Sequence, residues 1–261
     1  MRLRGNCLLY MSVVCFAATH SLSLASDPIR GRLIGTETVD ALLTEDNSDA
    51  FIAWRHEKVK HRTIVHIDSH IDLEWVSDSD LRRIFDSKTA EQLKRLQLSP
   101  LHPEESALKP LRIMSYIYPA IMEGMVSELY WVPPDSLLSG ESVLDTVKDH
   151  LIETLGKLSV DDLRSFGLEK GVIKGRVYGI PLTICKLYDL PRFEEAVVLD
   201  IDVDYFDPPD LGKRIEVPAI WPGEFVETLK KKAMRTDVAS LCYSVRGGNT
   251  WHWNIGSWAT N

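Results

Sequence analysis

Short apolar runs rich in β-branched residues alternate along the chain with longer stretches whose apolar residues recur at helical spacing. The runs predict strands over residues 63–67, 128–132, 196–201 and 238–243. Thr63-Ile64-Val65 and Ala196-Val197-Val198-Leu199 are continuous rather than alternating, the pattern of strands buried on both faces. Between them the period changes. Val143, Val147, Leu151 and Leu155 fall on one helical face and predict a helix over 142–157, with further helices predicted over 80–96, 160–166 and 223–234. The polar, proline-containing stretch 98–111 reads as an inserted loop. Helices alternating with short apolar strands predict an α/β fold: a parallel sheet flanked by helices, in three layers. No fixed-period repeat is visible, and residues 26–261 read as a single domain.

Two acidic clusters interrupt this pattern where each strand should end. The first is Asp68-Ser69-His70-Ile71-Asp72 and the second Asp200-Ile201-Asp202-Val203-Asp204-Tyr205-Phe206-Asp207-Pro208. Unpaired carboxylates next to a core cost several kcal/mol each, so they are normally paired, protonated or bound to metal. Alternate strand residues share a face, which gives Asp68, His70 and Asp72 one parity and Asp200, Asp202 and Asp204 another. In a continuing strand Asp68 and Asp72 would stand about 13 Å apart, too far for one small ion. The first strand is therefore expected to end near Asp68, with His70 and Asp72 on a loop that curls back over the strand end, where open α/β sheets gather ligands. The Asp207-Pro208-Pro209-Asp210 segment should stop the second strand in the same way.

A D-x-H-x-D cluster followed much later by D-x-D-x-x-D-P resembles the binuclear manganese site of the arginase and ureohydrolase superfamily. Three segments, Asp49-Ala50-Phe51-Ile52-Ala53-Trp54, Ser115-Tyr116-Ile117-Tyr118-Pro119-Ala120 and Tyr130-Trp131-Val132-Pro133-Pro134, look like one branch of it, the peptide-arginase family and its uncharacterised relatives. The resemblance spans residues 43–250. It implies the arginase-like α/β fold, two Mn²⁺ ions with Asp68, His70, Asp72, Asp202 and Asp204 as ligands, and Asp68 and Asp202 as the bridges. It also implies that Asp72 passes a proton to the leaving amine while a water activated by the ions attacks a guanidinium carbon, turning peptidyl arginine into peptidyl ornithine and urea. The family carries a further histidine upstream of the first cluster, where this chain has Asn47 in Asp46-Asn47-Ser48-Asp49. Asn47 is expected as a weak oxygen ligand that leaves one ion weakly held; the alternatives are His56 in its place or a single tightly held ion. An oxygen-rich donor set without cysteine suits Mn²⁺ or another hard divalent ion better than structural Zn²⁺. Two other readings stay open: a metal-dependent amidohydrolase or deacetylase of the same fold, and a catalytically degenerate interaction module.

The remaining histidines carry no motif. His66 shares the parity of Asp68 but sits deeper in the strand, as a buried, hydrogen-bonded side chain would. His150 flanks the packing face of the 142–157 helix. His61 and His102 fall in loop-like surroundings that would allow proton shuttling, and His252 lies between Trp251 and Trp253.

Composition changes the picture at the ends. The 261 residues are 44% hydrophobic and 26% charged, ordinary for one enzyme-sized α/β core. Arg2 and Arg4 precede an apolar run from Cys7 to Ala18, and Ser23-Leu24-Ala25 offers small residues for cleavage before Ser26. Residues 1–25 therefore read as a secretory signal and the protein as secreted or lumenal. An uncleaved anchor, and with it a membrane association, is the alternative. Since Arg2 and Arg4 are the only charged residues of that segment, its removal takes the formal charge from −8 to −10. Such acidity argues against a nucleic acid partner; the resemblance implies a peptide or small guanidino compound instead. Cys185 and Cys242, the cysteines left in the mature chain, read as buried thiols more readily than as a disulfide. Lys230-Lys231-Lys232 reads as the solvated face of its helix.

Overall fold

The computed structural model describes residues 29–31, 39–44, 46–98, 105, 108–206 and 220–243. Its strands, in chain order, are β1 (Ile29–Gly31), β2 (Val39–Thr44), β3 (Arg62–Ile67), β4 (Val126–Val132), β5 (Gly167–Glu169), β6 (Val172–Val177), β7 (Ile180–Ile184), β8 (Val197–Asp202) and β9 (Thr236–Cys242). The α-helices are α1 (Ser48–His56), α2 (Asp78–Asp86), α3 (Ala90–Lys94), α4 (Ile117–Met122), α5 (Val143–Leu155), α6 (Val160–Ser165) and α7 (Pro222–Lys232). All the strands join one sheet in the order β1-β2-β9-β8-β3-β4-β7-β6-β5. From β2 to β7 every neighbour is parallel, while β1, β5 and β6 add antiparallel edges.

Each central strand splits its side chains between two cores. Ile64 of β3, Leu129 and Trp131 of β4 and Val198 of β8 pack with Phe51, Trp54, Ile84, Ile117, Leu151 and Leu155 from α1, α2, α4 and α5. Val65 and Ile67, Val132, and Leu199 and Ile201 face the other way, onto Leu187, Phe225 and Leu229, the last two on α7. Helices thus cover both faces, which makes the fold a three-layer α/β sandwich. Burying a side chain of this size contributes roughly 1.5–3 kcal/mol, so both layers are needed to hold the sheet.

The crossovers also locate the functional end. From β3 the chain moves to β4 and then β7 on one side, with its helices in the first core; from β8 it moves to β9 on the other side, with α7 in the second. The direction of travel reverses between β3 and β8. Right-handed crossovers that diverge in this way leave a crevice at the carboxyl ends of the two strands, where doubly wound sheets bind ligands.

Two departures from the sequence reading have local causes. The helix expected over 80–96 is broken into α2 and α3, because Ser87 is extended and Thr89 caps a new helix in a capping box with Gln92. The sheet is not wholly parallel, because β5, β6 and β7 form two tight hairpins. Lys170-Gly171 and Tyr178-Gly179 turn them with positive φ at both residues, the type I′ geometry that matches strand twist. Helices α1 and α4 and strands β1 and β2 were not expected at all. Of the 98–111 stretch, the described residues show Gln97 and Leu111 bridged, so its two ends meet. The expected signal segment 1–25 and the Asp207–Asp210 stop lie outside the described residues. Cys185 and Cys242 are buried thiols, with burial pushing Cys185 up to about 12. Lys232 is less solvated than its run suggests, donating to the carbonyls of Tyr188 and Leu190. Among the described residues no helix is long and apolar enough to cross a membrane.

Candidate metal centre

Strand β3 ends at Ile67, and the next five residues form the loop that fills the crevice. Ile71 and Leu73 are fully buried in the core beneath α1 and α2, which pins the loop on either side of Asp72. Asp72 itself has φ of +52°, a left-handed conformation that aspartate tolerates better than most residues. That single residue turns the chain back. It brings the Asp72 carboxylate beside Asp68 in place of the wide separation a strand would impose.

The second cluster reaches the same point by another device. Strand β8 ends at Asp202, and residues Val203–Phe206 wind into a 3₁₀ turn that carries Asp204 back over the strand end. The backbone N–H of Asp204 donates to Asp202 Oδ1 at 3.0 Å. The loops interlock through Asp204, whose Oδ1 accepts from the Ser69 backbone at 3.2 Å and whose Oδ2 lies 2.8 Å from His70 Nδ1. Asp68 Oδ1 accepts from the His70 backbone at 2.7 Å. Trp131 Nε1 holds the Asp68 carbonyl at 3.0 Å.

Asn47 enters from α1. It occupies the N-cap position but makes no capping bond with its side chain, because Asp46 takes that task by accepting from the backbone and hydroxyl of Ser48. The released Asn47 amide points into the crevice, 3.0 Å from Asp72 Oδ2 and 3.5 Å from Asp68 Oδ2, and is also hydrogen bonded with Asp202. Asp49 is committed elsewhere, to Thr44, Lys94 and Gln97.

All five acidic or amide side chains are buried, Asp68 completely, while His70 is partly open to solvent. Burial, and then repulsion from Asp204, Asp72 and Asp202, pushes Asp68 well above the usual carboxylate range. Burial and Asp204 push Asp202 up to about 8. Asp72 rises to about 6, burial outweighing the nearby histidines and Asn47. Burial acts against the charged form of His70, yet its bond to Asp204 lifts it to about 9. Asp204 alone is lowered, the His70 bond overcoming its own burial. The carboxyl groups of Asp68 and Asp204 can place an oxygen each within 4.8 Å of one another, and the charge of Asp204 is the next cause after burial that raises Asp68. Such a cluster is short of positive charge. A divalent cation would supply it, so the donor set fits a hard metal ion by its chemistry.

The donor atoms fall into two overlapping groups. Asp68, His70 and Asp204 can place one ligand atom each within 4.8 Å of one another, and so can His66, Asp68 and Asp72. Asp68 belongs to both. Asp202 sits beside them through Asp204 and Asn47 without completing either trio.

Two comparisons return nothing: no family model matches the chain, and no curated protein matches its sequence. Among solved structures it is similar to the arginase from Medicago truncatula, at 15% identity and a TM-score of 0.35. The match covers 88% of this chain and 55% of that one, so the chain spans about half the length of the plant enzyme.

The network behind the centre was only half visible in the sequence. His66 is buried and hydrogen bonded as expected, but its partner is Asp200, its register neighbour on β8, at 2.9 Å from Nδ1. Burial opposes the charged ring, and the Asp200 bond and charge nevertheless raise its pKa. Tyr116 and Ser240 also donate to Asp200. Shared parity linked His66 to Asp68 and Asp200 to Asp202; the lateral pairing of β3 with β8 had no sequence signal. Of the other histidines, His150 is stacked on Trp131 with centroids 5.8 Å apart and planes at 19°, a more specific contact than a packing flank. His61 precedes β3, at the end of the strand opposite Asp68, which removes it as a proton shuttle for this site. His56 is on the last turn of α1, its ring exposed beside Glu57, and so is no substitute for Asn47. His102 and His252 lie outside the described residues.

Proposed function

We propose that the protein is a metal-dependent hydrolase that binds two divalent ions, Mn²⁺ by preference, and acts on a guanidinium group. The observation that carries this reading is Asp68 at the strand switch point, with His70 and Asp204 within reach in one direction and Asp72 in another. A shared carboxylate is what two adjacent cations require. The preference for a guanidinium over an acyl group is supported by the D-x-H-x-D pattern, whose last acid, Asp72, deacetylases of this fold lack. When bound, two such ions would lower the pKa of a water towards neutrality and orient it for attack on a trigonal carbon.

The chain's own residues supply the rest. Asp68, His70, Asp72, Asp202 and Asp204 would hold the ions, with Asn47 as a weaker oxygen donor once its amide turns its carbonyl inward. Such an inversion interchanges two nearly isosteric ends. Asp72, the acid whose proton affinity is raised to about 6, would receive a proton and return it to the departing amine. His70 is the only one of these side chains partly open to solvent, and marks the side from which substrate would arrive. A peptidyl arginine, flexible and cationic, suits such an acidic entrance.

Incubation of residues 26–261 with Mn²⁺ and arginine-containing peptides should release urea and convert arginine to ornithine, read by mass spectrometry, with free arginine turned over more slowly. Release of acetate from acetylated amines, with no urea from any guanidino compound under double-metal loading, would transfer the reading to the deacetylase class. Neither product together with no bound metal would leave an interaction module.

A further inference from the structure

Asn47 leaves the α1 side of the centre without an imidazole, and the structure offers one from below. His66 lies two residues before Asp68 on β3, is fully buried, and faces the same side of the sheet. Its Nδ1 is held at 2.9 Å by Asp200 Oδ2. Asp200 is itself fixed, with Ser240 on one oxygen and Tyr116 on the other, so the ring has little rotational freedom. An imidazole whose Nδ1–H donates to a carboxylate presents Nε2 as a lone pair, and metal-binding histidines are generally oriented in this way.

His66 Nε2 stands 3.0 Å from the backbone oxygen of His70 and 3.5 Å from Asp68 Oδ2, with Asp72 completing the trio within 4.8 Å. Ligands bound to one ion at about 2.1 Å are about 3.0 Å apart when at right angles and about 3.4 Å apart when tetrahedral. The spacing around Nε2 is that of atoms sharing a cation. We propose that His66 is a direct metal ligand, forming with Asp68 and Asp72 the ion position adjacent to that of Asp68, His70 and Asp204. The inference rests on the two-metal reading above and changes where the second nitrogen ligand comes from. The competing role is a cationic strut: Nε2–H would donate to the His70 carbonyl and orient that loop without touching an ion. One nitrogen cannot hold a proton and a metal together, so the two roles exclude each other.

The test uses metal-free full chain with ¹⁵N-labelled histidine, loaded with ¹¹³Cd²⁺ for NMR, and Mn²⁺ titrations by calorimetry on wild type and His66→Gln. In the loaded wild type, His66 Nε2 should lose its proton and couple to cadmium. His66→Gln should keep one Mn²⁺ at near wild-type affinity and bind the other about 100-fold more weakly, the size of effect that even outer-sphere changes at metal sites reach. A His66 Nε2 that stays protonated in the loaded wild type, or a variant binding both ions as tightly as wild type, overturns the ligand role while leaving the two-metal centre intact. A wild-type chain that takes up no divalent ion overturns the centre itself. Should His66→Gln fail to fold, the labelled wild type still decides.

Discussion

Asp68→Asn should do two opposite things at once: weaken divalent-metal binding by more than about 100-fold and raise the melting temperature of the metal-free protein. Both follow from where Asp68 sits. It is fully buried, flanked by Asp72, Asp202 and Asp204, and shared by the two donor groups. Losses of about 100-fold already arise from changes outside the ligand shell, so removing a carboxylate common to two ions should exceed that. Without metal the same charge is a liability, since burial and three like neighbours disfavour its ionised form. Asparagine keeps the shape and still accepts from the His70 backbone, whose bond to Asp68 Oδ1 is 2.7 Å. At a Mn²⁺ concentration of 100 times Kd the wild type gains about 2.7 kcal/mol, whereas a variant with Kd raised about 100-fold gains about 0.4 kcal/mol. For a domain of this size, that difference corresponds to about 5–10 °C in Tm. Calorimetric scans of both chains with and without Mn²⁺ provide the comparison. A variant that melts below wild type in chelator and above it in Mn²⁺ would contradict the site on both counts.

The trade between stability and charge also explains which parts of this molecule could be read from its sequence. Strands β3 and β8 are built on continuous apolar stretches, Ile64-Val65 and Val197-Val198-Leu199, as central parallel strands covered on both faces are, and the positions of these two and of the more mixed β4 and β9 were legible to within two or three residues. The β5 to β7 hairpins were not. Their strands alternate with exposed residues, as in Lys174 and Arg176, and their only marks are Lys170-Gly171 and Tyr178-Gly179, which look like ordinary loop residues until both φ values are seen to be positive. In the candidate site, the need for the chain to fold back after Asp68 came from distance alone. The means, a left-handed Asp72 without any glycine, did not. Asn47 could be placed only by resemblance, because α1 carries no residue pattern that aims its N-cap at a carboxylate cluster. Asp200 illustrates the limit most clearly: in sequence it looks like a member of the ligand run, yet its position one step deeper on β8 pairs it with His66, Tyr116 and Ser240.

The metal-free protein should lose stability steadily from about pH 5 to about pH 8, and Mn²⁺ should reverse the slope. A carboxylate whose folded pKa lies above its unfolded value binds a proton in the native state that the unfolded chain releases, so its contribution is complete below the unfolded pKa and disappears as pH rises through the folded one. For Asp202 that interval runs from 3.8 to about 8, and for Asp72 from 3.8 to about 6. His70 acts in the same direction: its contribution is complete below 6.5 and is lost as pH rises through about 9. Asp204, lowered by its bond to His70, has the opposite sign, but its stability is lost only on acidification below the ordinary carboxylate range and lies outside this window. The groups of the centre that titrate between pH 5 and 8 therefore agree; outside the centre His150, whose pKa burial lowers, opposes them only on acidification below its ordinary 6.5. A divalent ion takes the place of the same protons, so its affinity should rise as they leave, and each binding event should release protons into the buffer. Thermal scans at intervals across this range, with chelator and with millimolar Mn²⁺, should give curves that diverge with rising pH. Calorimetric titrations in two buffers of different ionisation enthalpy should count the protons released. Curves that run parallel, with no proton release, would mean that these carboxylates do not exchange protons for metal, and the centre would lose its chemical basis.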